Sequence, residues 1–178
     1  MKRASIRLAA ATAFAASLAS IPALAGNVSL TIQGVTGSFE VLAFDFGAKN
    51  AAETTTGGGS GAGKVSFGAF TFTSTESASS PSLFDYITTG RHSPSARLSV
   101  SNPDNGKPQS EWVLSDVLVT SFGTQNGALD PKAKLPNTFA LPVTTFGLAF
   151  RRACYRVFAF DGSVAKEACW DISTNSGV

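Results

Sequence analysis

The amino-acid sequence predicts a mostly β domain with one short helix, arranged as a β-barrel or a two-sheet sandwich. Three observations support this prediction. Apolar residues alternate with polar ones in several separate segments, which is the period-2 pattern of half-buried strands. Only one segment combines helical spacing with recognisable start and stop residues. An Asp-Gly pair near the C-terminus lies between two β-rich segments and is typical of a hairpin turn.

The first three strands are predicted before residue 73. Residues 28–32 alternate between apolar and polar side chains, and residues 34–37 follow as a turn. Residues 39–46 form the second strand and residues 65–72 the third. The intervening residues 47–63 carry no periodicity and include a run of glycines, so we expect a long flexible loop there.

The helix is predicted between Ser80 and Gly90. Ser80 can cap its start, Pro81 suits the first turn because that turn needs no backbone N–H, and Gly90 can close it. Three apolar side chains recur at helical spacing and define the face expected to be buried. They are Leu83, Phe84 and Ile87.

Strand patterns resume after the helix and continue to the C-terminus. Residues 96–100 alternate again, residues 102–109 are a turn region, and a long strand covers residues 111–122. Residues 123–137 are predicted as loop. The closing strands are predicted at 139–160 and 166–173.

The N-terminus has the three parts of a secretory signal peptide in order. Residues 2–7 contain three basic side chains, residues 8–18 are mostly apolar, and residues 23–25 supply the small side chains that a signal peptidase accepts. The alternative is a membrane anchor, but this apolar stretch is shorter than the roughly 20 residues that span a bilayer. We therefore expect cleavage of residues 1–25, one domain over residues 26–178, and export to the periplasm or the extracellular space, with no membrane association after cleavage.

The composition argues against a nucleic-acid-binding protein. Without the three basic residues of the signal peptide, the domain has 11 Lys and Arg and 12 Asp and Glu, so its net charge is close to zero. It therefore lacks the basic surface that nucleic acid requires. Charged residues make up 15% of the chain, below the roughly 25% usual for soluble domains. This low charge is consistent with surface that is buried against other subunits.

Cys154 and Cys169 are the only cysteines, and disulfides persist in the compartments that an exported chain reaches. Asp161-Gly162 lies midway between them and is a favoured type I′ hairpin pair. A two-residue loop there places Cys154 opposite Cys169. The same register places Arg156 opposite Glu167. Since cross-strand Cβ atoms are about 4.5–5.5 Å apart, we predict a disulfide, with two free buried cysteines as the alternative.

A glycine-rich stretch resembles a phosphate-binding loop without meeting its requirements. Gly58 to Lys64 fits G-x-x-x-x-G-K, but the motif then needs Ser or Thr, and this chain has Val65. The motif also needs a helix whose N-terminus faces the phosphate, whereas a strand pattern follows. We interpret the stretch as a loop and expect no nucleotide cofactor.

Candidate catalytic and metal-binding groups are sparse. His92 is the only histidine, which excludes a zinc site built from several histidines. A Ser-His-Asp triad would have to use His92, which follows the helix without a nucleophile-elbow motif. The carboxylates are scattered, and the sequence alone pairs no two of them. We therefore expect no enzyme, cofactor or metal site; His92 paired with an acid in a pocket would reopen the question of catalysis.

Several segments together resemble the haemolysin-coregulated protein (Hcp) family, which forms the tube of bacterial type VI secretion. They occur in the family's order and include the Gly-Ala-Gly-Lys-Val sequence that ends at Val65 and the Cys-Trp-Asp-Ile sequence that begins at Cys169. No single segment is diagnostic, and the specificity lies in the ordered series. The segments are residues 32–37, 41–47, 58–65, 80–83, 90–92, 96–98, 114–119 and 169–172.

The resemblance implies a two-sheet β-barrel of the Hcp type with one flanking helix. It also implies a homo-oligomer, a hexameric ring, and rings that stack into a hollow tube whose lumen can hold small secreted effectors. By position, residues 47–63 correspond to the extended loop with which family members meet the next ring. The resemblance therefore assigns an assembly role to Gly57, Gly58, Gly59, Gly61, Gly63 and Lys64.

Three features depart from the family pattern. The entry to the second strand, Ser38-Phe39-Glu40, is short where family members often carry a longer charged lead. The cysteine pair is not part of that pattern, and tube subunits assemble in the cytoplasm, whereas residues 1–25 direct this chain out of it. The sequence therefore predicts an exported structural protein that self-assembles into rings or stacked tubes. The alternative is an exported binding or effector module that uses the same barrel without forming a tube.

Overall fold

The computed structural model describes residues 27–50, 65–126 and 142–177. The predicted signal peptide and all residues of the predicted assembly loop, Gly57 to Lys64, lie outside these ranges. The described elements are β1 (Val28–Ile32), β2 (Phe39–Asp45), β3 (Ala48–Asn50), β4 (Val65–Phe67), β5 (Phe70–Thr75), α1 (Ser80–Thr89), β6 (His92–Ser101), β7 (Pro108–Asn126), β8 (Pro142–Phe158), β9 (Val164–Asp171) and β10 (Ser176–Gly177).

Six strands close into a barrel. They are hydrogen-bonded in the order β8-β5-β2-β1-β6-β7, and β7 pairs again with β8 to complete the circle. β9 and β10 continue the sheet beyond β8, while β3 and β4 form a separate two-stranded sheet. The pairings between strands are antiparallel. The predicted fold class, a mostly β two-sheet barrel with one short helix, is confirmed.

Aromatic side chains fill the middle of the barrel. Phe39, Phe70, Phe72 and Phe146 are almost completely buried. Phe70 stacks on Phe72 with ring centroids 4.6 Å apart, and Phe72 stacks on Phe146 at 5.3 Å. Aromatic pairs at these distances add to the stabilisation that comes from burying large apolar surface. The interior is therefore a packed core.

The predicted loop at residues 47–63 begins with a short strand instead. Ala48–Asn50 pairs with Val65–Phe67, with Asn50 opposite Val65, and the N–H of Gly68 donates to the carbonyl of Gly47 at 3.0 Å. A three-residue strand is too short to show periodicity, which explains why the sequence did not predict it. The predicted third strand is likewise divided into β4 and β5.

The helix ends as predicted but begins differently. Gly90 has φ 63° and follows the last helical residue, as its left-handed conformation favours. At the start, Ser79 is the cap residue and Ser80 is the first helical residue, its Oγ accepting a hydrogen bond from the N–H of Ser77 at 3.1 Å. The predicted apolar face is wrong at Phe84, which is 57% exposed, and Tyr86 is buried in its place.

The strand pattern around the long strand β7 also differs from expectation. β7 starts at Pro108, so the predicted turn at 102–109 is shorter, and it continues to Asn126 into the predicted loop at 123–137. Residues 127–137 lie outside the described part of the chain. Both extensions have polar sequences, which reduced the alternation on which the prediction depended.

Three neighbouring strands bend together at one corner of the barrel. Along a regular strand every second residue faces the same side. At the corner the buried positions are three apart, so two consecutive residues point outward on each strand. Asp116 has a φ of 54° within this bend. Such bends let strands pass from one sheet to the other. The buried pairs are Ser93 and Ala96 on β6, Leu114 and Val117 on β7, and Phe150 and Ala153 on β8.

The C-terminal hairpin has the predicted register but a different turn. The N–H of Ala159 donates to the carbonyl of Ser163, and that of Gly162 donates to Ala159, which gives a three-residue loop. A type I′ turn requires positive φ at both of its central residues. Gly162 has φ 92°, but Asp161 does not have a positive φ. The predicted type I′ turn is therefore wrong. A bulge beside Val157 offsets the extra loop residue and restores the register.

Candidate functional site

The sheet of β3 and β4, called here the arm, is anchored on the barrel by aromatic contacts. Phe46, which precedes β3, stacks on Phe67 of the arm at 5.9 Å and on Phe70 of the barrel at 4.8 Å. Phe67 also contacts Phe150 edge-on at 6.2 Å. The N–H of Val65 donates to the side chain of Asn175 at 3.3 Å. These contacts fix the base of the arm, from which residues 51–64 connect β3 to β4.

The six predicted assembly residues belong to this connection. Gly57, Gly58, Gly59, Gly61, Gly63 and Lys64 lie outside the described residues, so their role stays a prediction. The structure supplies the base of their loop, because Asn50 and Val65 are paired at its two ends.

The predicted cysteine pair lies on the hairpin of β8 and β9. Cys154 is directly opposite Cys169, with Cα atoms 4.0 Å apart and the sulfurs bonded. Glu167 lies close to both sulfurs, so these three residues form the group of potential metal ligands within the described ranges. In the disulfide neither sulfur is a thiolate, and the group therefore lacks the ligands that a soft metal prefers.

A chain of ion pairs runs beside the disulfide across four strands. Arg97 and Arg156 both contact the buried Glu111, at 2.7 and 3.2 Å, and Arg156 also contacts Glu167 at 2.8 Å. The hydrogen bond that it donates to Glu167 is the main cause that raises the pKa of Arg156 above its usual value. The predicted pairing of Arg156 with Glu167 is confirmed. Glu111 was missed because nothing in the sequence indicates which carboxylate two arginines share.

Several large apolar side chains are exposed on the described surface. Phe160 at the hairpin tip is 82% exposed and Phe84 on the helix 57%. Tyr155 is partly exposed but stacks on Trp112 with centroids 4.5 Å apart. Exposed apolar side chains that lie near one another mark surfaces suited to protein contacts. The remaining members of this set are Leu42, Phe44, Val157 and Val164.

His92 does pair with an acid, beside a cleft at the barrel corner. Its Nδ1 lies 2.9 Å from Oδ1 of Asp116, and both side chains are more than half exposed. Ser93 lines the same cleft, but its buried hydroxyl donates to the backbone carbonyl of Gln33 at 2.7 Å. That proton is directed away from the imidazole, so the three residues do not form a nucleophile–base arrangement. The pair alone gives no catalytic constellation.

No helix within the described ranges has both the length and the apolar character needed to cross a membrane.

The fold defines a class of protein: a closed antiparallel β-barrel with a packed core and one flanking helix. Among the described residues, aromatic and aliphatic side chains fill the interior, and the surface carries the arm, the cross-linked hairpin, the corner cleft and exposed apolar side chains. The chain belongs to the Hcp family: the family model described as "Type VI secretion system effector, Hcp" matches residues 20–155. The match ends before residues 169–172, one of the segments that carry the resemblance. The family is one of secretion-system proteins and is not defined by a catalytic activity.

Solved structures of Hcp proteins have the same fold. Hcp1 from Salmonella typhimurium is 21% identical, with a TM-score of 0.66, and the alignment covers 86% of this chain and 99% of that one. A structure described as a type six secretion system protein is 19% identical, with a TM-score of 0.71, and the alignment covers 86% of this chain and 100% of that one. Hcp1 from the E. coli EAEC 042 pathovar is 20% identical, with a TM-score of 0.61, and the alignment covers 83% of this chain and 99% of that one. No curated protein sequence matches the chain.

Proposed function

We propose that this protein is an exported structural subunit that assembles into hexameric rings and stacks them into tubes, outside the cytoplasm. The observation that carries the proposal is the Hcp family match across residues 20–155, which includes most of the barrel. Head-to-tail contacts that close make rings, and contacts that do not close make filaments. The lumen of such a tube would hold small secreted effectors, as the family resemblance implies.

The surface of the barrel supports an assembly role. The alignment with Hcp1 from Salmonella typhimurium covers 99% of that chain, so the barrel of this protein is complete relative to it. Exposed apolar side chains are present on three elements of the barrel surface: β2, α1 and the β8–β9 hairpin. A subunit in a tube needs contacts in several directions, because it meets neighbours within its ring and in adjacent rings.

Export is supported by the signal-like residues 1–25 and by the disulfide. Cystines persist in the periplasm and outside the cell, and they are rare in the cytoplasm. The bond between Cys154 and Cys169 therefore fits an exported subunit. A second candidate function, an exported binding or effector module without a tube, is favoured by the same two features if the chain stays monomeric.

Fractionation followed by electron microscopy tests the proposal. We expect the protein in the periplasmic or extracellular fraction, and we expect ring-shaped particles of six copies in that fraction. Light scattering after size-exclusion chromatography gives the number of copies independently. A particle that remains strictly monomeric at high concentration would favour the binding module.

A shortened arm tests the role of the predicted assembly loop. Because Asn50 pairs with Val65, residues 51–64 can be replaced by Asn-Gly, the preferred two-residue turn for adjacent antiparallel strands. We expect the variant to keep the barrel's circular dichroism and form single rings without stacks. Asp104→Ala, in another exposed turn, is the control and should stack normally. If the shortened variant forms stacks of normal length, the predicted assembly role of residues 57–64 is wrong.

A further inference from the structure

We propose that the cleft at the barrel corner binds a small oxyanion, a phosphate or carboxylate group, and that Arg152 is the main residue contacting it. The cleft lies where β6, β7 and β8 bend. Its charged and polar lining includes His92, Ser115, Asp116, Arg151, Arg152 and Asp171.

The bend itself brings the lining residues together. Two consecutive residues face outward on each of the three strands, and these include Ser115 on β7 and Arg152 on β8. Ser115 is directly opposite Arg152, which is in turn opposite Asp171 of β9. A row of polar side chains therefore crosses three strands on the outer side of the corner.

The two carboxylates of the cleft already have partners. Asp171 accepts hydrogen bonds from the backbone and hydroxyl of Ser173, and it lies 3.6 Å from Nε of Arg151. Asp116 pairs with His92 at 2.9 Å. Both carboxylates of the cleft are thus engaged by neighbouring side chains, and neither is paired with Arg152.

Arg152 differs from the other cationic groups of the cleft. It forms no ion pair with any described residue, although it is half-buried and lines the cleft. Its Nε is inaccessible to solvent and has no acceptor among the described residues. The side chain is therefore packed against the sheet, and its terminal amino groups are the part left for a ligand.

The chemistry of the lining indicates which ligand fits. A guanidinium group matches the two oxygens of a carboxylate or phosphate through parallel hydrogen bonds. Arg151 lies next to it in the chain, and the hydroxyl of Ser115 is a further potential donor. Asp116 and Asp171 would repel a polyanion, so the cleft suits one oxyanion group rather than a nucleic acid. That group can be a free ion or a carboxylate of a second copy of this chain.

Titration of the purified, oxidised protein with inorganic phosphate, followed by ³¹P NMR and calorimetry, tests the inference. We expect saturable binding that Arg152→Gln weakens at least tenfold. Arg91→Gln is the matched control, because Arg91 is exposed on the surface and paired with Asp85. Arg152→Lys keeps the charge without the planar fork and should bind several-fold more weakly than the wild type. If circular dichroism shows that Arg152→Gln does not fold, the comparison of Arg152→Lys with the wild type tests the inference instead.

Light scattering on the same samples distinguishes the two sources of the oxyanion. Phosphate binding with an unchanged number of copies supports a free ion. An oligomer that dissociates in Arg152→Gln, and that phosphate also weakens in the wild type, supports a carboxylate from a second copy. Equal phosphate binding and assembly in the wild type and Arg152→Gln would overturn the inference, as would a wild type that binds no phosphate and does not respond to it. Phosphate binding by a monomer would support it even if no ring forms.

Discussion

Two aspartates show how single carboxylates organise the turns of this protein. Asp161 accepts hydrogen bonds from the backbone and hydroxyl of Ser163, at 2.8 and 2.6 Å. Asp171 is bonded in the same way to Ser173, two residues further on. In each case the hydroxyl of that serine is the main cause that lowers the aspartate pKa below its usual value. Such a carboxylate stabilises the fold while ionised, and this contribution is lost as the pH falls through the lowered pKa.

Asp171→Asn is expected to lower the melting temperature at pH 7, because the ionised acceptor of the turn after β9 is lost. The difference from the wild type should shrink in acid, where the wild-type carboxylate is protonated as well. Thermal melts between pH 2 and pH 7 measure this. Asp104→Asn is the control, since no ion pair or side-chain hydrogen bond of its carboxylate is described. A difference that stays constant with pH would contradict the assignment.

Gly34→Ala is expected to destabilise the barrel by about 1–3 kcal/mol, the usual cost of a strained backbone position. Gly34 has φ 89°, and a Cβ there would collide with the hydroxyl of the buried Tyr86. Urea unfolding followed by tryptophan fluorescence measures the loss. Gly47→Ala is the matched control, because it has open space and no positive φ. Equal stability of the two variants would refute the steric explanation.

At the scale of elements, the hairpin of β8 and β9 is held by different forces on its two faces. The disulfide and the pairing of Arg156 with Glu167 lie on one face of the hairpin, two rows apart in the ladder. Trp112 and Tyr155 stack in the row between them, where successive side chains alternate between faces. β9 itself is largely exposed, with no strand on the outer edge of most of its length. The cross-link therefore secures an element that has little buried surface of its own.

Removing the disulfide is expected to destabilise the protein by about 3 kcal/mol, which is typical for a closed loop of this length. The double variant Cys154→Ala and Cys169→Ala avoids leaving one reactive thiol. Urea unfolding under oxidising conditions measures the change. Under a strong reductant the wild type should approach the double variant, whereas the double variant should not respond. An unchanged midpoint in both comparisons would mean that the hairpin is stable without its cross-link.

At the scale of the whole molecule, the chain combines the barrel of the Hcp family with a predicted signal for export. The barrel core combines buried phenylalanines with many aliphatic side chains, and burying them drives folding in any compartment that the chain reaches. The disulfide adds a requirement for an oxidising compartment. Folding of the complete barrel is therefore expected to finish after export, when residues 1–25 have been removed.

Signal cleavage is expected to leave Gly26 as the first residue of the exported protein. Intact-mass measurement and N-terminal sequencing check this. Replacing Ala23 and Ala25 by Leu should block cleavage, because the peptidase accepts small residues there. Ala15→Leu, within the apolar stretch, is the control and should be cleaved normally. An exported protein that retains residues 1–25 would show that the segment is an anchor or an unprocessed leader.

Local signals in the sequence were sufficient for most of the barrel and for the cysteine pair. The alternation at residues 28–32 predicted β1, and Gly90 predicted the end of the helix, because each depends on neighbouring residues alone. Tyr86, Asp116 and Glu111 were not predicted. Their roles depend on what packs against them from distant parts of the chain. The corner cleft was missed for the same reason, since it arises from a bend shared by three strands.

The extra residue in the Asp161-Gly162 loop and the bulge beside Val157 have a consequence for protein engineering. They cancel, so Cys154 faces Cys169 whether the tip is built as observed or with a two-residue turn. The cystine therefore holds the two strands in the same register even when the length of the tip changes. A foreign peptide inserted after Phe160 would leave the strand pairings below the cystine unchanged, which makes this tip a place to display sequences on the outside of the molecule.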